Sequence, residues 1–437
     1  MSMSINEPAS PNAGELDPGF NGGAILPLLG QAAMDVALSP TGKIYVAGNT
    51  TLGSDSEYLI WALNTDGTAD QSFNGGVPVH WLFTPDTEST SNSDRISVLP
   101  DGKILILGRT LVNRSQMYFG LARYHPDGTL DRSFGMNGIS VPIHGYDDVT
   151  LVKNFPRMAD TPKIAYQRAS LFVRDGRYYI AGAALRPSNG RAVILLVCLD
   201  DSGHLAQDFG DKGTAVIEHL EHYLDAPVIL VTPQGYLYVA GRIIGLESHH
   251  YKLWVRMHLD GRVDSSFGSD GFVYDTEGGY GGYGSYEAVA LQASLKPLGV
   301  GFGLHPDAAV GYAMMTSIDN DGASDPDFND GEPVLTPIVP ASYWADCMIQ
   351  SDGRIVTCGP VLYQDDEDHR ECAVGRYLPD GSLDTGFGNH NGWTQMRLGR
   401  TVEDLALAVQ PDNAIVVVGN QFDADLRSQP FVLRLKG

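Results

Sequence analysis

The chain has 437 residues, 43 % hydrophobic and 19 % charged, enough apolar side chain for a core, which excludes a disordered solvating chain. Its 29 basic and 53 acidic residues give a net charge of −24 and a pI near 4.7, so nucleic acid is excluded as a partner. Four cysteines without framework spacing exclude a disulfide-built scaffold, and 51 glycines, about 12 % against a usual ~7 %, without a collagen period, point to a turn-dense β protein.

In chain order, residues 1–13 are polar and rich in Pro, Ser and Asn, and the first basic residue is Lys43. The N-terminus therefore reads as a flexible tail without the basic start of a cleavable secretory signal, so the expected location is cytoplasmic or reached by a signal-independent export route. The longest apolar run, Ala192 to Leu199, has eight residues where a membrane helix needs about 20, so no membrane insertion is expected.

From residue 14 to 437 two landmarks recur seven times. The first is a turn signature: Pro40-Thr41-Gly42, Pro100-Asp101-Gly102, Arg174-Asp175-Gly176, Pro233-Gln234-Gly235, Pro297-Leu298-Gly299, Ser351-Asp352-Gly353 and Pro411-Asp412-Asn413. Its third positions lie 60, 74, 59, 64, 54 and 60 residues apart. Most are followed by a β-type run ending in Gly, such as Ile104-Leu105-Ile106-Leu107-Gly108, and preceded by another apolar stretch. Each therefore predicts a β-hairpin, with Pro presetting φ and the final Gly or Asn tolerating a positive φ.

The second landmark is a phenylalanine in a motif like Leu130-Asp131-Arg132-Ser133-Phe134-Gly135. Phe20, Phe73, Phe134, Phe209, Phe267, Phe328 and Phe387 are 53, 61, 75, 58, 61 and 59 apart, each preceded by a turn glycine. Two unrelated landmarks agree on seven units of about 60 residues with room for four short strands: one after the Phe-Gly, two in the hairpin and one ending in segments such as Phe119–Tyr124. The expectation is an all-β, seven-bladed propeller whose last repeat runs into its first.

The run from Phe119 to Gly135, echoed by Cys372 to Gly388, resembles the bacterial delta-60 repeat family, and the likeness covers residues 16 to 437. The resemblance implies a propeller with binding-type roles and often a surface or secreted setting, and carries over no catalytic residue. Departures lie in the Gly-rich strand after Pro297 and in an insertion from Val141 to Gln167.

Several constellations bear on chemistry. Asp319 to Asp327 looks like the front of a calcium loop but lacks its closing Glu, and plain turns explain the pattern better. Arg123, Arg256, Arg376 and Arg434 share one strand position and are expected to pair with the Asp of the Phe landmark. His219 and His222 would point to opposite faces of a strand, so a shared zinc needs a local helical turn, and a solvated polar edge is the simpler reading. A two-residue loop would set Cys347 opposite Cys358, whereas a three-residue loop pairs Cys347 with Thr357 and turns the two thiols apart. No catalytic motif, metal set or cofactor fingerprint is present.

The function expected is therefore that of a non-enzymatic, monomeric binding propeller recognising a protein or glycan through loops on one face. The inserts are Val141 to Gln167, Tyr280 to Glu287 and Tyr363 to Arg370. Tyr280, Tyr283 and Tyr286 in the Gly-rich insert are the candidate contact residues, because Tyr offers large contact area at low entropy cost. The alternative is a hydrolase or lyase acting on a carbohydrate at the central channel, which acidic or His residues from three or more blades would favour.

Overall fold

The computed structural model describes residues 13–52, 55–84, 90–112, 116–142, 148–151, 168–244, 250–274, 284–305, 308–363 and 369–437. Regular structure there is nearly all strand, arranged in seven antiparallel sheets around a ring. Blade 1 consists of Ala32–Leu38, Ile44–Leu52, Asp55–Leu63 and Val79–Trp81. Blade 2 consists of Thr90–Val98, Ile104–Val112, Gln116–Tyr124 and Ile139–Ser140. Blades 3 to 6 repeat this order, with first strands at Ser170–Arg174, Tyr223–Val231, Gly284–Leu291 and Asp346–Ile349. In blades 3 and 6 that first strand is broken, and Thr150–Leu151 and Ala341–Ser342 supply its other piece. Each first strand contacts the first strand of the next blade, which places the seven around the central channel.

Blade 7 closes the ring. Thr401–Val409, Ile415–Phe422 and Ser428–Leu435 take their fourth strand from the other end of the chain, Leu26–Pro27, which pairs with Val432 and Phe431. The strand after each Phe-Gly is thus the outermost of the blade already begun, not the first of the next as the repeat spacing suggested. The hairpin supplies the two inner strands instead.

The landmark phenylalanines are the joints of the ring, each at most 2 % exposed. The turn glycine of the following repeat lies against the ring: Gly203 has φ +82°, and a Cβ there would come within 2.5 Å of Phe134. The contact recurs from Gly67 on Phe20 round to Gly14 on Phe387, so the interlock has no free end. Between blades lie seven apolar clusters, one per seam. These seams form because the inner strands of each sheet bury one face against each neighbouring blade.

The repeated arginines pair as expected. Arg123 and Asp131, Arg256 and Asp264, and Arg376 and Asp384 each meet at 2.8 Å, and Arg434 meets Asp17 at 2.7 Å. Where Ala62 and Ser317 replace the arginine, Lys43 and Lys296 from the hairpin reach Asp70 and Asp325 at 2.6 and 2.5 Å. Blade 3 has Cys198 in place of the arginine and Ala206 in place of the aspartate, so neither charge is left alone.

Blade 5 corrects the sequence reading at one point. Its hairpin turn is Ala293-Ser294-Leu295, closed by the amide of Leu295 donating to the carbonyl of Gln292, and Leu295 has φ +63°. Pro297-Leu298-Gly299 instead begins the second strand. A Cβ on Gly299 would lie 2.5 Å from the ring of Tyr286, so the Gly-rich strand makes room for Tyr286 and Trp254, whose rings are 5.0 Å apart.

Candidate functional site: the central channel

The first strands do not run smoothly past one another. Register shifts fall between Ala33 and Asp35, Ser93 and Arg95, Asp225 and Val228, Tyr286 and Ala288, and Glu403 and Ala406. The broken first strands of blades 3 and 6 are interrupted at the same level, so all seven blades are irregular there. Bulges re-aim side chains and leave ladder groups unpaired, and this belt carries charge: Asp35, Asp94, Asp225, Glu287, Asp346, Glu403 and Asp404, with Arg95, Arg168 and Arg370.

Most of these groups are held. Arg109 donates from Nε and Nη2 to the two oxygens of Asp94 at 2.8 and 2.9 Å. Arg242 donates from Nη2 and Nε to Oδ2 of Asp225 at 2.6 and 3.1 Å. Asp35 and Asp346 occupy equivalent places and do equivalent work: each accepts the amide of the next blade's first strand, from Ile96 at 2.8 Å and Leu407 at 2.9 Å. Arg168, entering from blade 3, reaches across the channel, donating to the carbonyl of Met34 in blade 1 and to Asp404 in blade 7 at 3.1 Å. Arg370 pairs with Glu403 at 3.0 Å.

Three belt atoms are buried without a hydrogen-bond partner: Nε of Arg370, Nη1 of Arg242 and Oε1 of Glu287. Burial raises the Glu287 carboxyl, with Arg242 opposing. Burial, helped by the charge of Asp35, pushes Asp346 up to about 6, and burial also raises Asp35 itself. A carboxyl withdrawn from water favours its neutral form.

Below the belt, on the face where the hairpins turn, the channel opens into a funnel of about 1130 Å³. Val36, Leu38, Ile96, Val98, Val173 and Leu407 supply apolar wall, and Pro40, Pro100 and Pro411 form part of the rim. Val36 and Ile96 are the chain neighbours of Asp35 and Arg95, so the floor of the funnel lies at the belt.

The sequence-predicted site is elsewhere. Tyr280 and Tyr283 lie outside the described residues, as does half or more of each insert. Tyr286 is not on a loop: it sits in the first strand of blade 5, 3 % exposed, with its ring in the seam between blades 4 and 5 and its hydroxyl 2.7 Å from that of Thr316. The Gly-rich run had hidden the start of a strand at Gly284.

His219 and His222 lie in a loop with rings stacked at 4.8 Å. Nδ1 of His219 accepts the Glu221 amide at 3.3 Å while Nε2 meets the Tyr274 hydroxyl at 3.0 Å, so both its nitrogens are engaged. Oδ1 of Asp319 accepts two amides of its own turn, and Asp325 and Asp327 meet Lys296. Among the described residues no three His, Cys, Asp or Glu side chains gather as a metal site. Cys347 pairs with Thr357, the three-residue-loop register, and lies in a different seam from Cys358. Among the described residues no helix is long and apolar enough to cross a membrane.

Fold and channel together define a seven-bladed β-propeller with a charged central belt. A family model described as a β-propeller domain of unknown function, DUF5122, matches residues 39–73, 99–134 and 350–387. Each match starts at or just before a hairpin turn and ends on a landmark phenylalanine. Among solved structures, the chain is similar to a protein of unknown function from Dyadobacter fermentans at 12 % identity and a TM-score of 0.48, covering 94 % of this chain and 97 % of that one. It is also similar to a Penicillium chrysogenum α-L-arabinanase at 10 % identity and a TM-score of 0.43, covering 97 % of each chain. The GH93 α-L-arabinofuranosidase of Fusarium graminearum follows at 9 % and 0.42, covering 97 % of this chain and 96 % of that one. No curated protein sequence matches the chain.

Proposed function

We propose that this protein is a non-enzymatic, monomeric binding propeller of delta-60 type that takes a neutral glycan into its central channel. The observation carrying the reading is the apolar funnel, lined by blades 1, 2, 3, 6 and 7, whose floor at Val36 and Ile96 borders the charged belt through their chain neighbours Asp35 and Arg95. A sugar presents C–H surface to an apolar wall and hydroxyls to convergent polar groups, the composition expected of a small-molecule site. Counting Arg109 and Arg242, the belt has seven carboxylates against five guanidiniums, on a chain of net charge −24, so an acidic glycan is repelled.

The test is calorimetric titration with xylotriose, cellotriose, mannotriose and maltotriose, using a galacturonate trimer as acidic control. A neutral trisaccharide should bind, weaken at least tenfold in Arg168→Met, and bind equally to Tyr280→Ser/Tyr283→Ser. Binding lost in the tyrosine variant and kept in Arg168→Met would return the site to the loops.

A second reading, hydrolysis of a carbohydrate, is favoured by one observation: Asp346, pushed up to about 6 beside Asp35, supplies a neutral carboxyl near a second one. Release of reducing ends near pH 5–6 by the wild type, absent in Asp346→Asn, would establish it.

A further inference from the structure

Most of the belt's charges are held, although Nε of Arg370 has no partner, and at one place a donor and an acceptor of neighbouring blades are both left over. Asp94, Asp225, Asp404 and Glu403 each have a guanidinium, and Asp35 and Asp346 each accept a backbone amide. At the boundary of blades 4 and 5 the account stops. Arg242 is 8 % exposed and Asp225 fully buried, yet Asp225 takes only Nε and Nη2 of the guanidinium and leaves Nη1 with nothing to donate to. Glu287, on the bulge of the neighbouring first strand, keeps Oε1 buried with nothing to accept from. A buried polar atom without a partner carries the full cost of its lost hydration, about 1–3 kcal/mol and more when charged, and native proteins rarely leave two in one place.

We propose that Arg242 and Glu287 form the seat that reads one hydroxyl of the bound ligand. This rests on the channel reading above and adds which residues give it selectivity. A hydroxyl is the group that suits both atoms at once: its oxygen accepts from Nη1 of Arg242 while its hydrogen is donated to Oε1 of Glu287. A carboxylate or phosphate satisfies the arginine and is repelled by the glutamate. An ammonium does the reverse. Selectivity follows from the same atoms, because a ligand lacking that hydroxyl leaves both unpaired again, and sites built on buried hydrogen bonds reject such analogues strongly.

The experiment uses the tightest-binding trisaccharide of the panel above and its monodeoxy derivatives, titrated into wild type, Glu287→Gln, Glu287→Leu and Arg242→Lys, with thermal melts confirming that each variant is folded. Glu287→Gln keeps an acceptor oxygen and should bind within about threefold of wild type. Glu287→Leu and Arg242→Lys should each lose at least tenfold. One monodeoxy derivative should lose at least tenfold on wild type and nothing further on Glu287→Leu, which a merely structural role would not produce.

Binding that falls in Arg168→Met but is equal in wild type and Glu287→Leu overturns the seat and leaves the channel reading standing. A crystal structure of the saturated complex showing an ordered water only between Nη1 and Oε1 does the same. If none of the trisaccharides binds wild type, both fall together.

Discussion

The seams and the belt are built from the same strands but obey opposite rules. Every seam repeats the same joint: a landmark phenylalanine under the next repeat's glycine, and in six blades a cation paired with the landmark aspartate. At the belt almost nothing repeats. The equivalent bulge positions hold Met34, Asp94, Arg168 and Glu287; Asp35 and Asp346 share residue and contact, and Asp94 and Asp225 are each held by an arginine of the second strand. Ring closure asks each blade for the same joint, so the seams stay uniform. The channel is free of that requirement, and there each blade contributes something different.

The comparison can be broken at the seam first. Phe134→Ala or Phe267→Ala should cost about 3–5 kcal/mol, as large-to-small core changes do, read from the denaturation midpoint. An unchanged midpoint would remove the phenylalanines from the joint. Tyr286→Ala belongs with them, at about 3 kcal/mol, because its ring is in the seam. A loss below about 0.5 kcal/mol, typical of an exposed loop, would put it back on the surface.

Next comes the arginine pair, where blade 3 provides a natural control. Arg123→Ala leaves Asp131, only 3 % exposed, with Lys103 at 3.3 Å as its remaining cation and should cost about 2 kcal/mol. Arg123→Cys/Asp131→Ala, which copies Cys198 and Ala206, should recover more than half of that loss in urea melts. A double variant as unstable as the single would mean that the aspartate is not the reason.

The belt responds to pH in a way that the seams do not. Asp346 has a folded pKa of about 6, above the ordinary carboxylate value of about 3.9, so the folded protein binds its proton more tightly than the unfolded chain. Its ionisation therefore destabilises the fold as pH rises from about 4 through 6, by up to about 3 kcal/mol. Asp346→Asn should be more stable than wild type at pH 7.5 and lose that advantage by pH 4.5. A stability difference independent of pH would contradict the burial of the charge. The smallest effect expected is at Leu220, 90 % exposed, where Leu220→Ser should change stability by no more than about 0.5 kcal/mol.

The seams were legible in the sequence because they repeat: Phe134, Gly203 and the Arg123–Asp131 spacing announce themselves by recurring about every 60 residues. The turn of blade 5 was misread because Leu295 takes the positive φ that glycine takes elsewhere, while a Pro and a Gly follow just beyond it by chance. Phase was ambiguous because a repeat fixes the order of strands and leaves open which strand lies nearest the axis. The belt was missed because a single charge such as Asp35 within Ala32–Leu38 looks like the polar side of any strand. The signal available was a charge near the sixth residue before the hairpin turn in several blades, at Asp94, Arg168 and Glu287, with Asp35 and Asp346 one place later.

Hydrogen exchange with and without the bound trisaccharide compares the two candidate regions in one measurement. The channel account predicts slowed exchange in the first strands, at Val36–Leu38, Ile96–Val98 and Ala288–Leu291, with residues 275–283 unchanged. Protection confined to residues 275–283, with the first strands exchanging as in the free protein, would contradict it.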